Sequence, residues 1–227
     1  MKTKSKTLLR ILAVFAICAM DILCGVGYIY CVKQHGYLHS VKTASENLPG
    51  IFAQNLITAA FPLALFFIAA IVLKKQFSEV MYLRIKSRLQ IVLVSVLSAA
   101  LLGLAGFFLV AKADEITVLY NLFYYFFFVA FTEEFVVHGV CVYLLHDCRS
   151  VIRYLVPNLA FGMMHLFAYA DYGALTAAYL IKFLTTNLLG LVVGGCFYQA
   201  LKEKTGTLWV PIILHALMDY TVVFSYV

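Results

Sequence analysis

Charge is scarce in this chain. Only 12% of its 227 residues are Asp, Glu, Lys or Arg, where a soluble domain carries about a quarter. With 64% of the residues hydrophobic, a soluble globular domain and a disordered chain are both excluded. Four prolines and 13 glycines are too few for a collagen-like chain, and the charged heptads of a coiled coil are missing. The six cysteines (Cys18, Cys24, Cys31, Cys141, Cys148, Cys196) form no C-x-x-C pair and no zinc spacing. A disulfide scaffold is therefore not indicated, and the cysteines read as small apolar fillers. No repeat, low-complexity tract or second domain is visible. What is present is a series of long apolar runs. A β-barrel would show alternating segments of about ten residues instead. The expected fold is an all-α, polytopic transmembrane helix bundle, with residues 1–227 as one domain.

About 20 apolar residues cross the hydrocarbon core as a helix. Seven runs qualify: Leu8–Val32, Ile51–Leu73, Leu89–Ala111, Ile116–Leu145, Val151–Ala170, Ala174–Ala200 and Leu208–Val227. The fourth is long enough to tilt steeply or to break in two, which would add an eighth element. Of the 17 Lys and Arg, thirteen fall at the N-terminus, in the 2–3 loop, in the 4–5 connection and in the 6–7 loop. Lys33, Lys42 and Lys112 lie on the other side. The positive-inside rule then places the N-terminus in the cytoplasm and the C-terminus outside. This bias accounts for the net charge of +6, so no nucleic-acid partner is implied. The first run mimics a signal peptide. It is too long for an h-region and lacks a small-x-small site before Asp21, so it reads as an uncleaved anchor. The stretch 35–50 is the only sizeable outer loop.

Polar groups at membrane depth are the informative residues, since a carboxylate near a helix centre costs about 2.5–3.5 kcal/mol on insertion scales. The fourth run holds Glu133, Glu134 and His138, the fifth Phe161 and His165, the seventh His215 and Asp219. Asp21 lies in the first run without an assigned partner, and Lys182 in the sixth, to snorkel or to pair with a buried carboxylate. On a helix, Glu133 and Glu134 point about 100° apart. One can face a cavity while the other meets a neighbouring helix. Like charges this close resist double ionisation, a division of protons that suits general acid–base work. His215 and Asp219 share a face, as do Phe161 and His165, so Asp219 can orient an imidazole and Phe161 can wall the site.

Two chemistries fit this set. In one, a Glu takes a proton from water and the hydroxide attacks a carbonyl, with the imidazoles assisting. In the other, His165, His215 and Glu133 hold a divalent metal such as zinc, with the second Glu as base. The H-E-x-x-H helix that would favour zinc is missing. No Ser or Cys has a convincing partner for covalent catalysis.

Together, Glu133-Glu134-x-x-x-His138, Phe161-x-x-x-His165 and His215-x-x-x-Asp219 resemble the CPBP family of intramembrane proteases. That family includes the type II CAAX prenyl endopeptidases and the bacteriocin-processing and self-immunity proteases. Its pattern is E-E-x-x-x-R, F-x-x-x-H and H-x-x-x-N on successive transmembrane helices. The resemblance covers about residues 120–227, the catalytic-motif half. It implies Glu133 as the water-activating base, Glu134 as its support, and His165 and His215 as the rest of the cluster. Asp219 stands where the family has an amide that binds the oxyanion. His138 replaces Arg and Asp219 replaces Asn. These departures keep open a non-catalytic immunity or scaffold protein that uses the same cavity to bind a peptide. A proton-coupled transporter is a third reading, against which no inverted repeat is visible.

The expected partners are membrane lipid and a peptide or protein substrate, lipid-modified or of the bacteriocin or pheromone kind. The compact length and the lack of an organelle address point to a bacterial plasma membrane. Gly190-x-x-x-Gly194-Gly195 reads as a helix-packing face inside the bundle. The aromatic tract 120–131 reads as lipid-facing and core packing, and Trp209 as an interfacial anchor.

Overall fold

Long apolar runs in lipid can satisfy their backbone only internally, which means helix. The computed structural model describes residues 2–111, 114–168 and 176–225, and among these there is no strand. The run ends expected at Ala170, Ala174 and Val227, and Lys112, lie outside the described residues. The helices are α1 (Lys2–Gln34), α2 (Leu48–Thr58), α3 (Ala60–Leu73), α4 (Arg88–Val110), α5 (Glu115–Leu144), α6 (Ser150–Ala168), α7 (Ala177–Thr205) and α8 (Trp209–Tyr220). A 3-10 turn extends α8 to Ser225.

Within the described residues all seven expected runs fall on helices, and five helices there are long and apolar enough to cross a membrane: α1, α3 with its following turn to Val80, α4, α5 and α7. Helices α6 and α8 are shorter or more polar and complete the bundle. Of the two alternatives for the fourth run, tilt or break, the break does not occur. Helix α5 is continuous, and it absorbs its length through wide π-type turns at Tyr124–Phe131 and Phe135–Cys141. The interruption falls instead in the second run, at Ala59 between α2 and α3. Pro62 has no N–H to offer the Thr58 carbonyl.

Local chemistry fixes the other boundaries. Ser87 and Gln90 form a reciprocal capping box at the start of α4. The Gln90 side chain then donates to the Thr205 carbonyl at 2.7 Å, tying α4 to the end of α7. Gly206 ends α7 in the left-handed conformation, with φ 71°. Pro157 sits inside α6 and deprives the Arg153 carbonyl of its helical donor. Gln199 of α7 supplies a replacement at 3.2 Å.

Helix α5 is the central element: 72% of its apolar window is buried, against at most 17% in the other four long helices. Helices α3, α6, α7 and α8 pack on it, and α1 packs along α6 and against α2 and α3. The core gathers Phe108, Phe135, Leu208, Ile212 and Tyr220. Three expectations need adjusting. A side chain at Gly195 would collide with Asn158 of α6, whereas Gly190 and Gly194 face open space, so only Gly195 serves close packing. Lys182 is exposed and pairs with no buried carboxylate among the described residues. Trp209 donates its indole N–H to the Leu83 carbonyl at 2.9 Å and stacks on Phe131, so the bundle holds it.

Candidate active site

The two wide turns of α5 bracket Thr132–Glu134, so the glutamate pair sits where the helix is locally widened. Such turns recur at functional sites. The two carboxylates take different environments. Glu134 is buried, 2% exposed, and both its oxygens are engaged: Oε2 lies 2.6 Å from His138 Nδ1 and Oε1 lies 3.0 Å from His215 Nδ1. Glu133 points into a cavity of about 580 Å3 that it shares with His165, Asp21, Phe128 and Thr132. Its side chain is 27% exposed, and its nearest imidazole atom is His215 Nε2 at 3.8 Å.

His215 is the hinge of the cluster. Nδ1 meets Glu134, while Nε2 lies 3.3 Å from Asp219 Oδ2 on the next turn of α8. Its ring stacks on Tyr198 of α7 at 5.1 Å between centroids. Both nitrogens face carboxylates, so the doubly protonated ring satisfies every neighbour. His138 is held in the same way. Asn158 donates its amide N–H to the Tyr154 carbonyl at 2.7 Å and to Gln199 Oε1 at 3.1 Å. Its oxygen therefore faces His138 Nε2 at 2.9 Å as an acceptor. That assignment puts a proton on Nε2, and Glu134 and His138 share the one between them. Buried Lys202 adds a third tie to this residue, donating to the His138 carbonyl at 2.6 Å and lying over the Tyr82 ring.

His165 Nδ1 lies 3.0 Å from its own helix, at the Phe161 carbonyl, and the Phe161 ring packs edge-on against the imidazole at 4.5 Å. The outer loop closes over the cavity. Gln54 of α2 makes two backbone hydrogen bonds to His39, and Asn121 of α5 donates to the Val41 carbonyl. Asn55 reaches Tyr120 at 2.8 Å.

The family comparison falls on the helices that carry this cluster. Residues 115–221 match the family described as "Rce1-like: Type II CAAX prenyl endopeptidase Rce1-like". This segment is similar to that family. The match agrees with the CPBP resemblance of the three motifs, and the long apolar helices are those of an integral, multi-pass membrane protein. Comparison with curated proteins and with solved structures gave no match.

Within the matched segment, Glu133, Glu134, His138, His215 and Asp219 form one connected cluster, and His165 with Phe161 stands on the same cavity as Glu133. Asp219 is oriented as the partner of His215, and a carboxylate in that role offers no donor to an oxyanion. Among the described residues no three His, Cys, Asp or Glu side chains are grouped as a metal ion requires. The expected set His165, His215 and Glu133 is not gathered in that way, although His215, with Nδ1 on Glu134, keeps Nε2 towards Glu133. Several participants escaped sequence reasoning, namely Asn158, Gln199, Lys202 and Tyr198. Asn158 lies seven residues before His165 and so on the same face of α6, and Gln199 and Lys202 are three apart on α7. That spacing of polar residues in apolar helices was the available clue.

Proposed function

We propose that this protein is an intramembrane endopeptidase that hydrolyses a peptide bond of a membrane-associated peptide with water activated by Glu133. One observation carries the reading: of the two adjacent carboxylates, Glu133 alone reaches the cavity, beside His165, while Glu134 is tied to two imidazoles. Glu133 takes a proton from water, and the water oxygen attacks the scissile carbonyl carbon. His165, walled by Phe161 and with its Nδ1–H bound to the Phe161 carbonyl, accepts the water's other hydrogen at Nε2 and orients the attack. Collapse of the tetrahedral species breaks the C–N bond, and the proton held by Glu133 passes to the leaving amine. The new carboxyl group gives its proton to the amine, so a carboxylate and an ammonium group leave and Glu133 is ready for the next cycle. His215, fixed by Glu134 and Asp219, stands 3.8 Å from Glu133 and steadies its charge. No step needs a metal. The apolar wall formed by Phe128, Val129 and Met164 supports a substrate with an apolar flank delivered from the bilayer, lipid-modified peptides included.

Purified protein in detergent, offered a fluorogenic peptide library, tests the reading. Wild type is expected to cleave, and Glu133→Gln and His165→Ala to lose about a hundredfold or more. Folded wild type that cleaves nothing across the library sinks the proposal and leaves a peptide-binding protein of the immunity or scaffold kind.

A further inference from the structure

We propose that Asp21 determines specificity, binding a cationic side chain of the peptide substrate in the cavity beside Glu133. The inference rests on the peptidase reading and extends it to the half of the chain that the Rce1-like match does not cover. Asp21 belongs to α1, which packs along α6 and against α2 and α3. That packing sets its carboxylate on the same cavity as Glu133 and His165.

Every other carboxylate at this depth has an imidazole within 4 Å. Glu134 has His138 and His215, Asp219 has His215, and Glu133 has His215. Asp21 has no hydrogen-bond or ion-pair partner among the described residues. A carboxylate kept at membrane depth without internal return calls for a partner from outside, and such residues mark ligand pathways.

The cavity defines that partner's charge. No Lys or Arg lines it, and its titratable groups are Asp21, Glu133, His39, His165 and Tyr124. Asp21 and Glu133 line the same cavity. An anionic residue would meet two carboxylates. A Lys or Arg would neutralise Asp21 and leave Glu133 free to act as base. The amides on the wall do not compete for it, since Gln54 is bound to His39 and Asn55 to Tyr120. Ile22, next along α1, and Val26, one turn beyond it, face the same space. The substrate class that fits is a peptide with a basic residue flanked by apolar ones.

The test uses the full chain in detergent and a positional-scanning peptide library. Wild type is expected to prefer Lys or Arg at one subsite. In Asp21→Asn the ratio of kcat/KM for basic over neutral peptides falls about 30-fold, as for the loss of one partner of a buried charge pair. In Asp21→Lys the preference turns to Glu. Cleavage by wild type without a basic preference overturns the inference and leaves the peptidase reading intact. An equal loss on every peptide in Asp21→Asn also overturns it, and marks Asp21 as a proton carrier or packing residue. If wild type cleaves nothing, the peptidase reading fails by itself. Binding of a dansylated Lys-containing peptide against its Glu counterpart, in wild type and Asp21→Asn, then decides the inference. Equal binding of both by wild type overturns it.

Discussion

Neighbouring glutamates with different surroundings should fail in different ways when removed. Glu134 is 2% exposed and meets two imidazole nitrogens at 2.6 and 3.0 Å. Truncating it in Glu134→Ala leaves His138 and His215 buried without their acceptor. Removing one partner of a buried pair costs about 3–5 kcal/mol, in line with two hydrogen bonds to a charged group at about 1.5–3 kcal/mol each. For a chain of this size that is a drop of about 10 °C in the unfolding midpoint. Glu133 is 27% exposed on its side chain and 3.8 Å from its nearest imidazole, beyond hydrogen-bond reach. Glu133→Gln is nearly isosteric and breaks no hydrogen bond, so its midpoint should stay within about 2 °C of wild type, on the order of 0.5 kcal/mol. Both variants should lose cleavage, one through the missing base and the other through a disordered cluster. Detergent-solubilised protein heated in steps and followed by fluorescence-detected size exclusion reads the midpoints, and the fluorogenic assay reads activity. A Glu133→Gln midpoint as low as that of Glu134→Ala would refute the division of roles. So would a Glu133→Gln enzyme that still cleaves.

Four further outcomes follow from the same contacts. His138→Arg should keep cleavage, because a guanidinium can donate to both Glu134 and Asn158, whereas His138→Ala should lose about 3 kcal/mol of stability together with activity; midpoints and rates on the same samples check this. Gly195→Ala should lower activity, since the new methyl meets the Asn158 side chain that holds His138, while Gly190→Ala, facing open space, should be silent in the same assay. Hydrogen bonds from Thr117 hold the exposed Asp114 carboxyl below the usual range at the start of α5. Its folded value is depressed, so the cap stabilises above the unfolded value and fades as pH falls through the folded one; Asp114→Ala should cost about 1 kcal/mol at pH 7 and progressively less in acid, read by thermal midpoints. Dialysis against EDTA should leave the cleavage rate unchanged, and a loss restored by zinc would overturn the Glu133-only mechanism.

The bundle was legible in the sequence because composition and run length dictate it: within the described residues all seven expected runs are helical. The break in the second run was harder to see. Pro62 sits inside an otherwise unbroken apolar stretch, and hydropathy averages over it. The fourth run was undecided for the opposite reason. Its length allowed a tilt or a break, and wide turns took up the strain instead of a break. In the site, the 100° separation of successive helical residues sufficed to foresee that one glutamate would face a cavity and the other a helix. The supporting set was not legible. Asn158, Gln199 and Lys202 answer backbone and side-chain groups on other helices. Which neighbour needs them depends on packing that no single run encodes.

The motif half of the chain does not make its cavity alone. Glu133 and His165 come from α5 and α6, but the opposite walls are α1 and α2 with the loop between them, which carries His39 and Val41. Gln54 and Asn121 fasten that loop, and Arg10 anchors α1 to Asp147 in the α5–α6 connection at 2.8 Å. That exposed pair adds little; the packing of α1 along α6 must do the rest. In the proposed mechanism hydrolysis needs only that water, carbonyl and base meet in a shielded enclosure, a need assigned to the cluster on α5, α6 and α8. Selection needs a wall that differs between proteins with the same chemistry. Helix α1 supplies such a wall and places on it Asp21, a carboxylate without a partner among the described residues. Changes in α1 should therefore alter which peptides are cut, whereas changes in the α5–α8 cluster should alter whether any are.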